Sequence, residues 1–208
     1  MLSYLNTDNI AHSTPETELH PLKPCIDEET KLLFLGSFPP QRKKWAKNFD
    51  FFYPNFINDH WRIMGLIFHK DKDYFVNPTD KTFKYAEIIN FVKQHGIGYY
   101  DTCEAVKRLK QNASDKYLEV IRQTDIKTLL SKAPKCRYIV TTGQKATETL
   151  CQLLNITSIP KVGEQTTLPL TNNDNMNISL HRLPSSSRAY PMSLENKAAL
   201  YSQILDKL

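Results

Sequence analysis

The residues able to do chemistry cluster just past the ends of short apolar runs. Leu32-Leu33-Phe34-Leu35 stops at Gly36, and Pro39-Pro40 follow at once. Beyond them aromatics (Phe38, Trp45, Phe49, Phe51, Phe52, Tyr53) mix with cations (Arg42, Lys43, Lys44, Lys47) and lead to the amides Asn55 and Asn58. Aromatic faces among cations are suited to stacking an unpaired base while holding its backbone. A second run, Ile178–Leu183, ends in Pro184-Ser185-Ser186-Ser187-Arg188. Its hydroxyls, backbone N–H groups and guanidinium fit phosphate oxygens. A third run, Gly98-Tyr99-Tyr100, ends in Asp101-Thr102 and supplies a carboxylate.

These runs read as strands, because short apolar stretches closed by Gly or Pro are typical of buried parallel strands. The expected strands are Lys31–Gly36, Gly98–Thr102, Arg137–Thr142 and Ile178–Leu183. Between them the spacing predicts helices over Asn58–His69, Phe83–His95, Gln144–Leu154 and from Ser193 onward. Short helical segments are expected over Lys116–Gln123 and Asp125–Lys132, the latter capped by Thr124, and a small hairpin around Thr166–Leu170. Asn58 suits the N-cap of its helix, with Asp59 in the first turn. Alternating strands and helices imply an α/β fold: a three-layer α/β/α sandwich around a mainly parallel, about four-stranded sheet. Ligands of such sheets bind beyond the carboxyl ends of the strands, where the three chemical runs end.

At 208 residues the chain fits one domain, expected over 19–208, preceded by a loose polar tail at 1–18. The segment His20-Pro21-Leu22-Lys23-Pro24 is expected to run along the surface, since two prolines forbid regular structure. A net charge of +5 and a pI near 8.9 permit a polyanionic partner without requiring one. No apolar run reaches the ~18–20 residues of a membrane span, and the N-terminus lacks a signal-peptide pattern, so the cytoplasm is the expected compartment. Cys25, Cys103, Cys136 and Cys151 are too scattered for a zinc or iron–sulfur spacing. Buried thiols are the expected state of Cys103 and Cys136, and no metal or cofactor is implied.

Taken together, the motifs resemble those of the uracil-DNA glycosylase superfamily, in particular its mismatch-specific and hypoxanthine-acting branches. Those proteins carry a G-x-x-P-G-like turn after the first strand, matched by Gly36-Ser37-Phe38-Pro39-Pro40. An aromatic-aromatic-x-x-P-x-N-x-x-W segment follows, matched by Phe52-Tyr53 with Asn58 and Trp61. A P-S-S-S type loop after the last strand is matched by Pro184-Ser185-Ser186-Ser187-Arg188. The strand Gly96–Asp101 and the turn Gly143-Gln144-Lys145-Ala146 also look like their counterparts, so the similarity runs from about Lys31 to Tyr190. Two positions depart from the family. Phe38 stands where many members place a water-positioning Asn, and Leu183 where the classic uracil enzymes place a His. The resemblance moves the water-orienting role to Asn58, a residue whose other expected role is capping its helix.

What the resemblance implies is a monofunctional DNA glycosylase acting as a monomer on DNA with a deaminated or mismatched base, uracil or hypoxanthine foremost. Cleavage of an N-glycosidic bond passes through an oxocarbenium-like sugar, reached after the nucleotide is flipped out of the duplex. Asn58 and Asp101 are the expected catalytic residues. Ser37 and Phe38, through backbone N–H groups, and Phe52 and Tyr53, through their rings, are expected to bind the base. Arg42, Lys43, Lys44, Ser185, Ser186, Ser187 and Arg188 are expected on the DNA backbone, with His181 a spare donor. The rival reading is a nucleic-acid-binding protein of the same fold with weak or lost catalysis, which Phe38 and Leu183 favour.

Overall fold

The computed structural model describes residues 16–110, 115–171 and 177–208. In chain order its elements are β1 (Thr17–Leu19), β2 (Leu32–Gly36), α1 (His60–His69), β3 (Val76–Asn77), β4 (Thr82–Phe83) and α2 (Tyr85–His95). There follow β5 (Ile97–Asp101), β6 (Cys103–Arg108), β7 (Leu118–Gln123), α3 (Ile126–Ser131) and β8 (Tyr138–Thr142). The chain closes with α4 (Gln144–Leu153), β9 (Gln165–Thr171), β10 (Asn177–Leu183) and α5 (Leu194–Leu205).

The central sheet has five strands in the order β5-β2-β8-β10-β9. The first four run parallel, and β9 joins the edge antiparallel to β10. The fold is therefore mixed α/β, and the sheet is mixed with five strands rather than about four. The extra strand comes from the stretch read as a small hairpin: its partner is β10, and a short connection allows antiparallel return where a parallel one needs a crossover. All four apolar residues of β2 are fully buried. Because successive side chains point to opposite faces, both faces of the sheet must be covered. Helix α2 packs on β5, α4 on β8 and α5 on β10, while α1 packs on α5.

A second, three-stranded antiparallel sheet, β1-β6-β7, was not expected. Two sequence readings change with it. Lys116–Gln123 is largely strand β7 and not a helix, because Leu118 and Val120, two residues apart, share one face and pack with Phe38, Cys103 and Val106. Thr17–Leu19, expected in the loose tail, pairs with Ala105–Lys107 of β6. Residues 1–15 lie outside the described residues.

The aromatics of the first chemical stretch are mostly core. Phe49, Phe51, Phe52 and Trp61 are buried around Phe34, Tyr99 and Tyr201, and the Trp61 indole N–H donates to the Phe52 carbonyl at 3.1 Å. Each such ring contributes roughly 1.5–3 kcal/mol by burial, which fixes the loop between β2 and α1 as firmly as an element. Helix α3 is capped by Asp125, which accepts the Thr128 N–H, and not by Thr124. Cys103, Cys136 and Cys151 are buried free thiols.

Candidate active site

Register brings the chemical runs to one rim. Gly36 lies opposite Asp101, and Leu183 opposite Thr142, so the carboxyl ends of β2, β5, β8 and β10 are level. At this rim a Cβ on Gly36 would stand 2.3 Å from Asp101 Oδ1. Only glycine lets the carboxylate lie against the strand. The other carboxylate oxygen, Oδ2, is 2.8 Å from His20 Nε2. His20 was read as a surface residue, yet its side chain is 3% exposed. The segment stays free of helix and strand, but the His20 N–H bond to the Glu104 carbonyl holds the chain where the imidazole reaches Asp101.

Ser37, next along, donates its hydroxyl to Asp115 Oδ2 at 2.7 Å. Burial pushes the Asp115 carboxyl above the usual carboxylate range and nearby Asp101 pushes it further, against the Ser37 hydrogen bond. Phe38 turns its ring away into the satellite cluster under the small sheet, with the Arg108 guanidinium 5.5 Å above it. From there it offers the rim its backbone. Phe52 is also buried, stacked with Tyr99 at 5.8 Å.

Tyr53 is the half-buried member of the aromatic pair. One ring face stacks on His60 at 3.7 Å, and its hydroxyl shares a 2.7 Å hydrogen bond with Thr142. Its backbone is left-handed, φ 53°, a conformation that strains a bulky residue and marks a position fixed by its surroundings. Burial raises the Tyr53 phenol pKa, so the hydroxyl stays protonated and can donate. His60 is fully buried, and burial holds its pKa well below the ordinary value. Its Nε2 is 3.0 Å from the Tyr99 hydroxyl, while Nδ1 is buried without a partner among the described residues.

Helix α1 is capped one residue later than expected. The N-cap position falls on Asp59, and Asn58 stands before it, its Oδ1 accepting the His60 N–H at 2.9 Å. The Asp59 carboxylate ignores its own helix. Oδ1 accepts from Arg188 Nε and Nη2 at 3.2 and 3.0 Å, and Oδ2 from Lys197 Nζ at 3.3 Å. Lys197 also donates to the Ser187 carbonyl at 2.9 Å, and the Asp59 N–H donates to the Ser186 carbonyl. The serine loop is thus clamped to the start of α1, with Arg188 part of the clamp.

Within that loop Ser186 is buried, whereas Ser185 and Ser187 are half-buried and accept backbone N–H groups two residues on. Ser185 lies close to Gly143, where α4 begins. Lys43 is exposed and Lys44 half-buried on a turn of 3₁₀ helix beside Arg42, which pairs with Asp50 and stacks on Trp45 at 4.2 Å. His181 stays below the rim, bonded to Ser179 at 3.0 Å, its pKa lowered by burial to about 4.

Sequence reasoning missed His20, His60, Asp59, Asp115, Thr142 and Lys197. Lys197 had a signal, since it falls three residues after Leu194 and four before Tyr201 on the inward face of α5. His60 shares a face with Met64 in the same way. His20 had none, because its partner is distant in the chain.

No family model matches the sequence. A hypoxanthine DNA glycosylase of Methanosarcina barkeri is 30% identical over 125 residues, which cover 60% of this chain and 71% of that protein. A solution NMR structure from Methanosarcina acetivorans, provisionally named a uracil DNA glycosylase, has the same fold, with a TM-score of 0.57. That match covers 89% of this chain and 94% of the other at 22% identity. By these matches the chain is an α/β enzyme of the DNA glycosylase class. The chain belongs to the uracil-DNA glycosylase superfamily.

Proposed function

We propose that this DNA glycosylase flips a deaminated base, uracil or hypoxanthine, out of a mismatched site and hydrolyses its N-glycosidic bond without cutting the strand. The observation that carries the reading is the Asp101 carboxylate, seated on Gly36 at the rim and held there by His20. A carboxylate fixed at this place meets both needs of the reaction: negative charge near an oxocarbenium-like sugar and an acceptor for the proton of water. The water oxygen bonds to C1′ as the C1′–N bond breaks. The electron pair of that bond leaves with the base, and the water proton passes to Asp101.

The base stacks on the face of Tyr53 opposite His60, an interaction worth ~1–3 kcal/mol, against the few kcal/mol that extrusion costs. Backbone N–H groups at Ser37 and Phe38 receive charge on the departing base, where preorganised donors act most strongly. Asn58 keeps its oxygen on the His60 N–H and presents its amino group to the water oxygen. Arg42, Lys43, Lys44, Ser185 and Ser187 contact phosphates on either side. Arg188 takes part from its Asp59 clamp.

The test is base release from duplexes carrying a single uracil, hypoxanthine, xanthine or mismatched thymine, with wild type and Asp101→Asn compared in single turnover. Wild type should release uracil or hypoxanthine and leave an alkali-labile but intact strand. Asp101→Asn should bind the same duplex and release the base at least ~100-fold more slowly. Binding without release from any lesion, or a wild-type rate in the variant, would overturn the reading.

A further inference from the structure

We infer that His20 is a positioning residue of this reaction, acting through Asp101, and that the segment joining β1 to β2 is a wall of the active site. The inference rests on the role given to Asp101 above. Its ground is geometric. His20 Nε2 meets Asp101 Oδ2 at 2.8 Å, and the two side chains are 3% and 10% exposed. The other ring nitrogen, Nδ1, lies 2.8 Å from the Leu22 carbonyl oxygen and 3.1 Å from the Leu22 nitrogen. One residue thus supplies Nδ1 with an acceptor when it carries a proton and a donor when it does not.

The imidazole is held sterically as well. It meets Phe38 edge-on at 5.4 Å and lies 4.7 Å from Tyr100, with Phe52 at 6.3 Å. The His20 N–H donates to the Glu104 carbonyl at 2.9 Å, which continues the β1–β6 pairing up to the site. A donor fixed on both nitrogens and by three rings leaves one orientation for the carboxylate it bonds. Orientation is what a group that must meet both water and sugar requires, since a misplacement of ~1 Å costs about 100-fold in rate.

The experiment uses the full chain and a duplex with one uracil or hypoxanthine. His20→Phe keeps the ring volume and removes both nitrogens; His20→Gln keeps a side-chain donor. Single-turnover release at saturating enzyme, duplex affinity by anisotropy and the melting temperature are measured for each. His20→Phe should slow release by about 100-fold, with affinity unchanged and the protein folded. His20→Gln should recover most of that loss. In an Asp101→Asn background His20→Phe should add almost nothing, because the two act as a unit.

A wild-type rate in folded His20→Phe would overturn the inference. So would a loss confined to affinity, or a full additional loss on top of Asp101→Asn. If His20→Phe does not fold, His20→Leu takes its place, and the same outcomes decide. A slow Asp101→Asn beside a fast His20→Phe sinks the positioning role alone. A fast Asp101→Asn sinks the catalytic reading and this one with it.

Discussion

Asp59 and Asp101 are both 7% exposed and both belong to the strand-end rim, but they keep different company. Asp59 is met by two cations, the Arg188 guanidinium and the Lys197 ammonium, and every carboxylate oxygen has a charged donor. Among the described residues Asp101 is met by one imidazole. A carboxylate bonded at both oxygens by side chains fixed elsewhere in the fold is a strut. One bonded to a single imidazole, through one of its two oxygens, is left to meet something that arrives. The difference separates the part of the rim that holds the loops together from the part proposed to react.

The largest expected effect comes from breaking the strut. Asp59→Asn leaves Lys197, 1% exposed, without its counter-charge, and removing one partner of a buried pair costs roughly 3–5 kcal/mol. The loss should appear in the denaturant midpoint, while the single-turnover rate of the folded fraction stays near wild type. A wild-type midpoint would show that Asp59 is not the strut.

A smaller effect, of opposite sign, is expected at the reactive end. The Asp115 carboxyl is raised in the fold, so the folded state resists its ionisation more than the unfolded chain does. Such a group withholds stability above its folded pKa and withholds none below the unfolded value of about 4. Asp115→Asn, which can still accept the Ser37 hydroxyl, should raise the midpoint at pH 7. That gain should shrink towards pH 4, and a gain that persists unchanged at pH 4 would sever the link to charge.

His60 extends the comparison to a buried base with no charge to meet. With its pKa depressed in the fold, the unfolded chain takes up a proton below about 6.5 that the folded chain refuses. Stability should therefore fall as pH drops from 7 to 5, and His60→Phe should lessen that fall, with His181 keeping part of it. Equal acid sensitivity in both proteins would place the titration elsewhere.

The smallest change is Arg188→Ala. Its side chain is 53% exposed and Lys197 still faces Asp59, so stability should drop by at most about 1 kcal/mol. If Arg188 reaches a phosphate, the slope of log affinity against log salt should flatten by ~0.9. An unchanged slope would confine Arg188 to the clamp.

What could be read in advance follows the range of the interactions. The four parallel strands and their helices were legible because each carries its own pattern: continuous apolar runs for β2 and β8, a 3.6-residue stripe for α1 and α5. The small sheet was not. β1 has three residues and exists only by pairing with β6, and β7 shows just two alternations, too few to outweigh a helical reading. The site divides in the same way. Residues at strand ends, Ser37, Asp101 and Ser185 to Arg188, were found from the runs before them. Contacts between distant positions, His20 with Asp101 and Lys197 with Asp59, leave no local trace. The aromatic loop misled in part: of the pair expected to stack, Phe52 serves the packing, and Tyr53 alone stays half-buried.

The fit of Gly36 against Asp101 has an evolutionary consequence. Any side chain at 36 would overlap the carboxylate, since even its first carbon would stand 2.3 Å from an oxygen. A lineage that replaced the glycine would have to turn the carboxylate away from the strand and from His20 or lose the acid, and one that lost the acid would be released from the glycine. The two positions should therefore drift as a couple: glycine with aspartate, or neither. A relative with a larger residue at the first position should hold the acid in another orientation or lack it, and with that lose the chemistry proposed for it.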